Sequence, residues 1–442
     1  MVILKSLLSK IKSILNNKTV NNAKWMIGEQ AVQMVISLVL GILTARYLGP
    51  SNYGVINYSA AFVVFFSSVV TLGLEGVIIK EMVNNRDKEG TIIGTGIAMR
   101  LAASVISIFA IIVILTILKP GDTLVLKVGF LQSLVMLFRA FELIDFWFQS
   151  HLRSKYVAIL KSISYFLVAI YKFFILFTNK SVEWFAFSTT LDFLLIAIMI
   201  VIAYYKKGGK PMHFSMETAK SLLKQSYHFI LSGMLIIVYV QIDKILIGQF
   251  LTEADVGLYS AATTICNYWL LVPVALINSA RPTIMQLKKD GNEEMYLKRI
   301  KQLYCLLIWG GAVVCLGISV LSKFILTVLY QEAYVSAAPT LAIVIWYTIF
   351  STLGTARGIW IVCENKNAYI KKIVLWGTVL SVGLNLILIP TLGIVGSAIT
   401  SLSTQIFTAI IAPMFYKETR IHSKYILDAF LFKIKKKNKP SK

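Results

Sequence analysis

Fifteen ionisable side chains lie inside long apolar runs of this sequence, where they are costly and therefore informative. The basic ones are Arg100, Lys127, Arg139, Lys161, Lys172, Lys244, Arg281, Lys323 and Arg357; the acidic ones are Glu29, Glu75, Glu142, Asp145, Asp192 and Asp243. A charge at the centre of a bilayer-crossing helix costs about 2.5–3.5 kcal/mol on insertion scales, so it normally faces a partner, an aqueous cavity or the interface. Arginine can grip a phosphate oxygen pair through two parallel hydrogen bonds, and lysine supplies a mobile point charge. The chemistry implied is the holding of an anionic group in a wet, net-positive cleft, with carboxylates that moderate binding or carry a coupling proton.

These residues differ in depth. Lys127, Lys161, Arg281 and Lys323 lie near span ends and are expected to snorkel to the interface. Glu29 sits near a cytoplasmic mouth, where it could simply be hydrated. Arg100, Lys172 and Asp192 are deeper and are expected to line a cavity. Arg139, Glu142 and Asp145 follow one another at spacings of three, which places them on one helical face. They form either part of the site or a triad that neutralises itself. Asp243 and Lys244 are adjacent and cannot face the same way, so one faces the cavity and the other a neighbouring helix. The candidates for substrate binding are thus Arg100, Arg139, Lys172, Lys244 and Arg357. Those for coupling or charge balance are Glu29, Glu142, Asp145, Asp192 and Asp243.

Helices must position all of these. Of 442 residues, 57% are apolar and only 15% charged, too few polar groups to cover a soluble domain of this length. Apolar runs of bilayer-crossing length fall near 25–48, 53–79, 91–118, 124–148, 157–178 and 182–205. A second set falls near 227–248, 255–285, 303–328, 335–362, 370–389 and 393–416. The fold class expected is an all-α integral membrane protein of about twelve transmembrane helices in two six-helix bundles. Placing both termini in the cytoplasm puts 32 Lys and Arg in the inner segments and three (Arg46, Lys119, Lys180) in the outer ones. One missed span would destroy that asymmetry, which is the pattern cytoplasmic loops show.

The chain then divides into a segment 1–24, a bundle 25–205, a linker 206–226, a bundle 227–416 and a basic cytoplasmic tail 417–442. In the first segment Leu4, Leu7, Leu8, Ile11, Ile14 and Leu15 alternate with Lys5, Lys10 and Lys12, as in a helix lying on anionic lipid; a frayed leader is the alternative. The two bundles share a repeat. Tyr47-Leu48-Gly49-Pro50-Ser51-Asn52-Tyr53-Gly54 with Tyr58-Ser59-Ala60-Ala61 corresponds to Phe250-Leu251-Thr252-Glu253-Ala254-Asp255-Val256-Gly257 with Tyr259-Ser260-Ala261-Ala262. Six spans per half is an even number, so the repeat is parallel, about an axis along the membrane normal. Pro273 is expected to break helix 8, and Gly310-Gly311 to loosen helix 9.

Several activities lack their motifs. No G-x-x-x-x-G-K-[ST] loop occurs, the four histidines show no metal-ligand spacing, and the four cysteines form no C-x-x-C pair. No cofactor or metal is expected. The formal charge of +23 lies mainly between spans, with no folded basic domain to bind nucleic acid. Glu253 and Asp255 are an acidic pair that a membrane glycosyltransferase could use, but acids also favour a helix start.

Thr44-Ala45-Arg46-Tyr47-Leu48-Gly49-Pro50 with Tyr53-Gly54 resembles the first-helix pattern of the Wzx-type polysaccharide repeat-unit flippases, of the multidrug/oligosaccharidyl-lipid/polysaccharide superfamily. So does Gln241-Ile242-Asp243-Lys244-Ile245-Leu246-Ile247-Gly248 with Val256-Gly257-Leu258-Tyr259. The resemblance implies a V-shaped, MATE-like transporter with a cationic central cavity. It implies transport of an undecaprenyl-pyrophosphate-linked oligosaccharide of O-antigen or capsule type to the periplasmic leaflet of the inner membrane. The cycle would be powered by a proton or sodium gradient or by the membrane potential, alongside polymerase and chain-length partners of the pathway. The related lipid II flippases carry two more helices and arginines in the first spans. This chain has Glu29 there, which argues against a peptidoglycan precursor as cargo. The alternatives are a cation-coupled multidrug exporter, which would need an acid-dominated site, and a membrane polysaccharide polymerase, which would need a long outer loop.

Overall fold

The computed structural model describes residues 18–366 and 368–432. Most of the segment expected to lie on the cytoplasmic leaflet, residues 1–17, falls outside them, as does the end of the basic tail. The described residues are almost entirely helical. In chain order the helices are α1 (Lys18–Val70), α2 (Glu75–Asn84), α3 (Glu89–Leu118), α4 (Thr123–Ser133), α5 (Val135–Arg139), α6 (Leu143–Ser150), α7 (Ser154–Phe177) and α8 (Val182–Lys206). Then follow α9 (Met216–Phe250), α10 (Glu253–Lys289), α11 (Glu293–Val320), α12 (Ser322–Tyr330), α13 (Ala338–Val344), α14 (Tyr347–Cys363), α15 (Ala368–Ile406) and α16 (Lys417–Phe430).

Nine stretches among the described residues are long and apolar enough to cross a bilayer, and a tenth is the pair 332–344 and 347–363, bent by 45°. Two of these stretches hold two spans each. The 53 residues of α1 would run about 80 Å at 1.5 Å per residue, far more than the ~30 Å hydrocarbon core. The helix is interrupted at Gly49, where φ is 69°. Only glycine takes that conformation without strain, and Pro50 suits the first turn of the next helix. In α15 the same interruption falls at Gly393, with φ 62°. Splitting both at their glycines gives the twelve spans expected.

Several boundaries differ from those read in the sequence. The span placed at 53–79 stops at Val70 and restarts at Glu75, because Leu72 and Gly73 both have positive φ. The span at 124–148 is three short helices, α4 to α6, with a 3-10 turn at Ala140–Glu142. Pro273 does not break its helix: α10 runs unbroken past Pro273 and Pro282, and α11 is continuous through Gly310-Gly311.

The described residues fall into two compact units, one within 1–48 with 59–234 and the other within 49–58 with 235–442. The division falls at 234/235 within α9 rather than in the expected linker. Most of that linker is ordered structure on the first unit. Only residues 207–215 are non-helical. Thr95 Oγ1 accepts from the Ser215 amide at 3.0 Å, and Tyr204 Oη donates to the Lys210 carbonyl at 2.7 Å. The core of this unit gathers Leu74, Ile78, Met82, Ile93, Leu143, Trp147, Phe148 and Tyr204. Glu89, buried beside it, accepts from Trp147 Nε1 at 2.8 Å and pairs with Arg86 at 3.0 Å.

In the second unit the repeat explains itself sterically. A side chain on Gly54 would overlap the carbonyl of Glu253, and one on Gly257 would overlap the carbonyl of Pro50. Each repeat glycine receives the backbone of the other copy's first turn, the reciprocity a two-fold contact requires. Thr252 and Asp255 close a capping box at the start of α10: the Thr252 amide donates to Asp255 Oδ2 at 3.1 Å and the Asp255 amide to Thr252 Oγ1 at 3.3 Å. The Glu253–Asp255 pair thus starts a helix. The segment expected as a basic tail begins with α16, which buries His422, Ser423, Ile426 and Ala429. His422 lies 2.6 Å from the Tyr304 hydroxyl, and Lys301 pairs with Asp428 at 2.6 Å.

Two outcomes follow. Gly257→Val puts a branched side chain against a carbonyl that cannot rotate away. It should destabilise the protein by at least the ~1–3 kcal/mol typical of overpacking, seen as a lower thermal midpoint and less membrane-inserted protein. Burial, reinforced by Arg357, holds the His422 imidazole well below its ordinary value. The unfolded chain then takes up a proton that the folded one refuses, so stability is full above about pH 6.5 and declines as pH falls below it. Thermal midpoints measured from pH 8 to pH 5 should show this slope in the native chain and lose most of it in His422→Gln.

Candidate functional site

In the second unit the site is built around Asp243. This residue lies on α9, inside a span, and is 9% exposed. Three neutral side chains hold its carboxylate: Asn385 Nδ2 donates to Oδ1 at 2.7 Å, Tyr259 Oη to Oδ2 at 2.7 Å, and Ser401 Oγ to Oδ2 at 2.8 Å. Tyr259 is the tyrosine of the repeat. Asn385 and Ser401 lie on either side of the Gly393 break, so both segments of α15 reach the same carboxylate. The Asn385 carbonyl oxygen is buried without a hydrogen-bond partner, an arrangement that costs free energy in an apolar medium. A carboxylate and an idle carbonyl oxygen, with hydroxyls beside them, form a set of hard oxygen donors suited to a proton or a small cation.

The carboxylate opens on a polar cavity of about 260 Å³, lined in part by Tyr239, Gln241, Lys244, Asn267, Tyr347 and Gln405. Both members of the Asp243–Lys244 pair therefore line it. Lys244 Nζ also reaches Asn57 Oδ1 at 3.4 Å. Arg357, expected in the cavity, is not among its lining residues. It is 8% exposed and donates from Nη1 to the Thr408 carbonyl at 2.6 Å, with Nε unpartnered.

The first unit arranges its charges along α7. Lys161, Ser164, Tyr165 and Lys172 recur at helical spacing and reach three neighbours. Lys161 pairs with Asp145 of α6 at 2.8 Å, Ser164 Oγ donates to Asp192 Oδ1 of α8 at 2.6 Å, and Tyr165 Oη donates to Glu29 Oε1 of α1 at 3.0 Å. Lys172 is half-buried, with Asp192 as its opposing charge.

This corrects several expectations. Arg139, Glu142 and Asp145 do not form a triad: Arg139 pairs with Glu142 at 3.3 Å and covers the Phe193 ring, while Asp145 turns to Lys161. The helical spacing that suggested a triad is interrupted by the 3-10 turn between α5 and α6. Lys161, expected to snorkel, is held by Asp145, whereas Lys127, Arg281 and Lys323 are exposed. Glu29 is not merely hydrated but takes the Tyr165 hydroxyl. Arg100, expected to line a cavity, is 2% exposed and donates to the Thr71 carbonyl at 3.2 Å. Within this unit Arg100, Arg139, Lys161 and Lys172 are matched by Glu29, Glu142, Asp145 and Asp192, so these positions carry no positive surplus.

Tyr259, Asn385 and Ser401 escaped a search for charges because they are neutral. An amide in the middle of the apolar run Leu384–Ile389 was the one sequence feature able to flag Asn385.

Apolar helices of bilayer length throughout the described residues define an all-α, multi-pass membrane fold. Comparison with solved structures agrees. The chain is similar to the lipid II flippase MurJ in an inward closed conformation, with a TM-score of 0.72 at 15% identity over 92% of this chain and 91% of that one. It is also similar to a multidrug resistance MATE family transporter of the MOP superfamily in its inward-facing conformation, with a TM-score of 0.67 at 15% identity over 90% and 96%. Residues 19–288 match the family described as polysaccharide biosynthesis protein, and the chain belongs to that family. Among curated relatives, a low-salt glycan biosynthesis flippase of Haloferax volcanii is 25% identical over 197 residues, 44% of this chain and 42% of that protein. A protein of Escherichia coli K12 named "putative O-antigen transporter" is 23% identical over 88% of this chain and 96% of its own length.

The Lys161–Asp145 pair is testable as a structural unit. Lys161→Met should destabilise more than the double variant Lys161→Met/Asp145→Leu, since removing one partner strands the other charge. A double-mutant cycle on thermal unfolding should give a coupling of about 1–3 kcal/mol.

Proposed function

We propose that this protein is a flippase that carries a lipid-linked oligosaccharide from the cytoplasmic to the outer leaflet of the inner membrane, with both termini in the cytoplasm. Its cargo is a repeat unit of O-antigen or capsule type on an undecaprenyl pyrophosphate carrier. Family membership supports the glycan pathway. The observation that carries a transport mechanism is Asp243: a carboxylate held in a membrane span by neutral donors only, beside an idle carbonyl and open to a polar cavity.

Such a carboxylate is a natural seat for the coupling ion. A proton or sodium ion neutralises it, and loss of that ion leaves a bare charge whose three hydrogen bonds then tie α9, α10 and both segments of α15 together. Ion occupancy thereby changes how tightly those helices hold one another, which is what couples an ion gradient to helix movement. The membrane potential adds a second drive, because an inside-negative potential favours outward movement of an anionic head by about 2.3 kcal/mol per charge per 100 mV. Anionic cytoplasmic-leaflet lipids and the pathway's polymerase and chain-length proteins complete the set of proposed partners.

Deleting the gene should strand lipid-linked repeat units in the inner leaflet and remove the surface glycan. Complementation with the native gene should restore the glycan, and Asp243→Asn should restore roughly a tenth or less of it at equal protein level. A deletion strain with normal glycan but raised sensitivity to cationic dyes would overturn this reading in favour of a drug exporter.

A further inference from the structure

The cavity beside Asp243 has a wall whose chemistry does not suit a phosphate. Gripping a pyrophosphate calls for several cationic donors, yet among the lining residues Lys244 is the sole cation and Asp243 stands next to it. Most of the rest are phenols, amides and hydroxyls, among them Tyr239, Gln241, Asn267, Tyr347, Ser351 and Gln405. Among the described residues neither Gln241 nor Gln405 engages its side-chain amide in a hydrogen bond. Asn267 accepts from Tyr347 Oη at 3.3 Å through Oδ1, which leaves its amino group available. Thr404, 1% exposed and also lining the cavity, has an Oγ1 without a partner. Idle polar groups within a membrane span are costly, and so many on one wall point to a ligand with many hydroxyls.

We infer that this wall of the second unit binds one sugar ring of the cargo, so that the protein reads the glycan itself as well as its carrier. An amide both donates and accepts, which matches a ring whose hydroxyls do the same. The two phenol rings offer flat apolar faces with a polar edge, the match for a sugar's C–H face. The volume, about 260 Å³, is just below the range of about 300–1,000 Å³ that holds drug-sized ligands, so it admits a single ring rather than a whole repeat unit. A site built to hydrogen-bond hydroxyls rejects cargo lacking them more strongly than an apolar pocket rejects an extra methylene. This inference rests on the flippase reading above.

The test uses the full-length protein in liposomes and two probes: lipid-linked repeat unit extracted from cells that make it, and undecaprenyl pyrophosphate bearing no sugar. The native protein should prefer the glycosylated probe, judged by initial rate at subsaturating concentration. Gln405→Ala and Asn267→Ala should each narrow that preference about three- to tenfold, the effect of one hydrogen bond, through a raised half-saturation concentration for the glycosylated probe. If either variant fails to reach the membrane, Ser351→Ala supplies the same comparison. An unchanged preference, or an equal loss for both probes, overturns the sugar site and leaves the flippase reading standing. If the native protein moves neither probe, both fall.

Discussion

The hydrocarbon core of a bilayer offers no water to a polar group, so each one must find its partner within the protein or face a cavity that water can enter. That constraint organises this molecule. In the first unit it draws Lys161, Ser164 and Tyr165 of α7 to Asp145, Asp192 and Glu29 on three different helices. In the second it draws Tyr259, Asn385 and Ser401 to Asp243. In the first unit one ion pair, Lys161–Asp145, stands beside two hydroxyls that donate to carboxylates, whereas in the second three neutral side chains converge on a single carboxylate. Asp243 takes its three hydrogen bonds from neutral side chains, with Lys244 in the same cavity as a nearby opposite charge, and this convergence is why the proposed function puts the exchangeable ion there.

Backbone breaks are the means by which helices deliver these groups. Gly49 and Gly393, both with positive φ, interrupt two helices that would otherwise run on. The Gly393 break puts Asn385 and Ser401 on separate segments that converge on one carboxylate. Gly54 and Gly257 allow backbone to approach backbone so closely that no side chain fits between. Small residues serve this purpose in membranes generally, since tight contact replaces the hydrophobic drive that lipid removes.

On the proposed reading, the second unit of this transporter combines an ion seat with a hydroxyl-seeking wall. An ion that enters or leaves the seat alters the hydrogen bonds to Tyr259 and Ser401, in the same cavity that Gln405 and Tyr347 line. On that reading cargo and ion act on shared helices, and a coupling free energy between two ligands requires that sharing.

Much of this was legible in the sequence. Apolar run lengths gave the membrane class and twelve spans, because these follow from transfer free energies that depend on residue type alone. The repeat glycines stood out because chain reversal and close approach admit few other residues. Which charge meets which was not legible. The spacing of Arg139, Glu142 and Asp145 suggested one face only while the helix was assumed straight, and a 3-10 turn sent Asp145 to Lys161. Arg100 and Arg357 looked like cavity cations but end on the Thr71 and Thr408 carbonyls, and the neutral partners of Asp243 carried no charge to betray them. Residue type fixes the cost of placing a group in the membrane; the partner that offsets the cost arrives from a distant helix, and only tertiary packing decides which one.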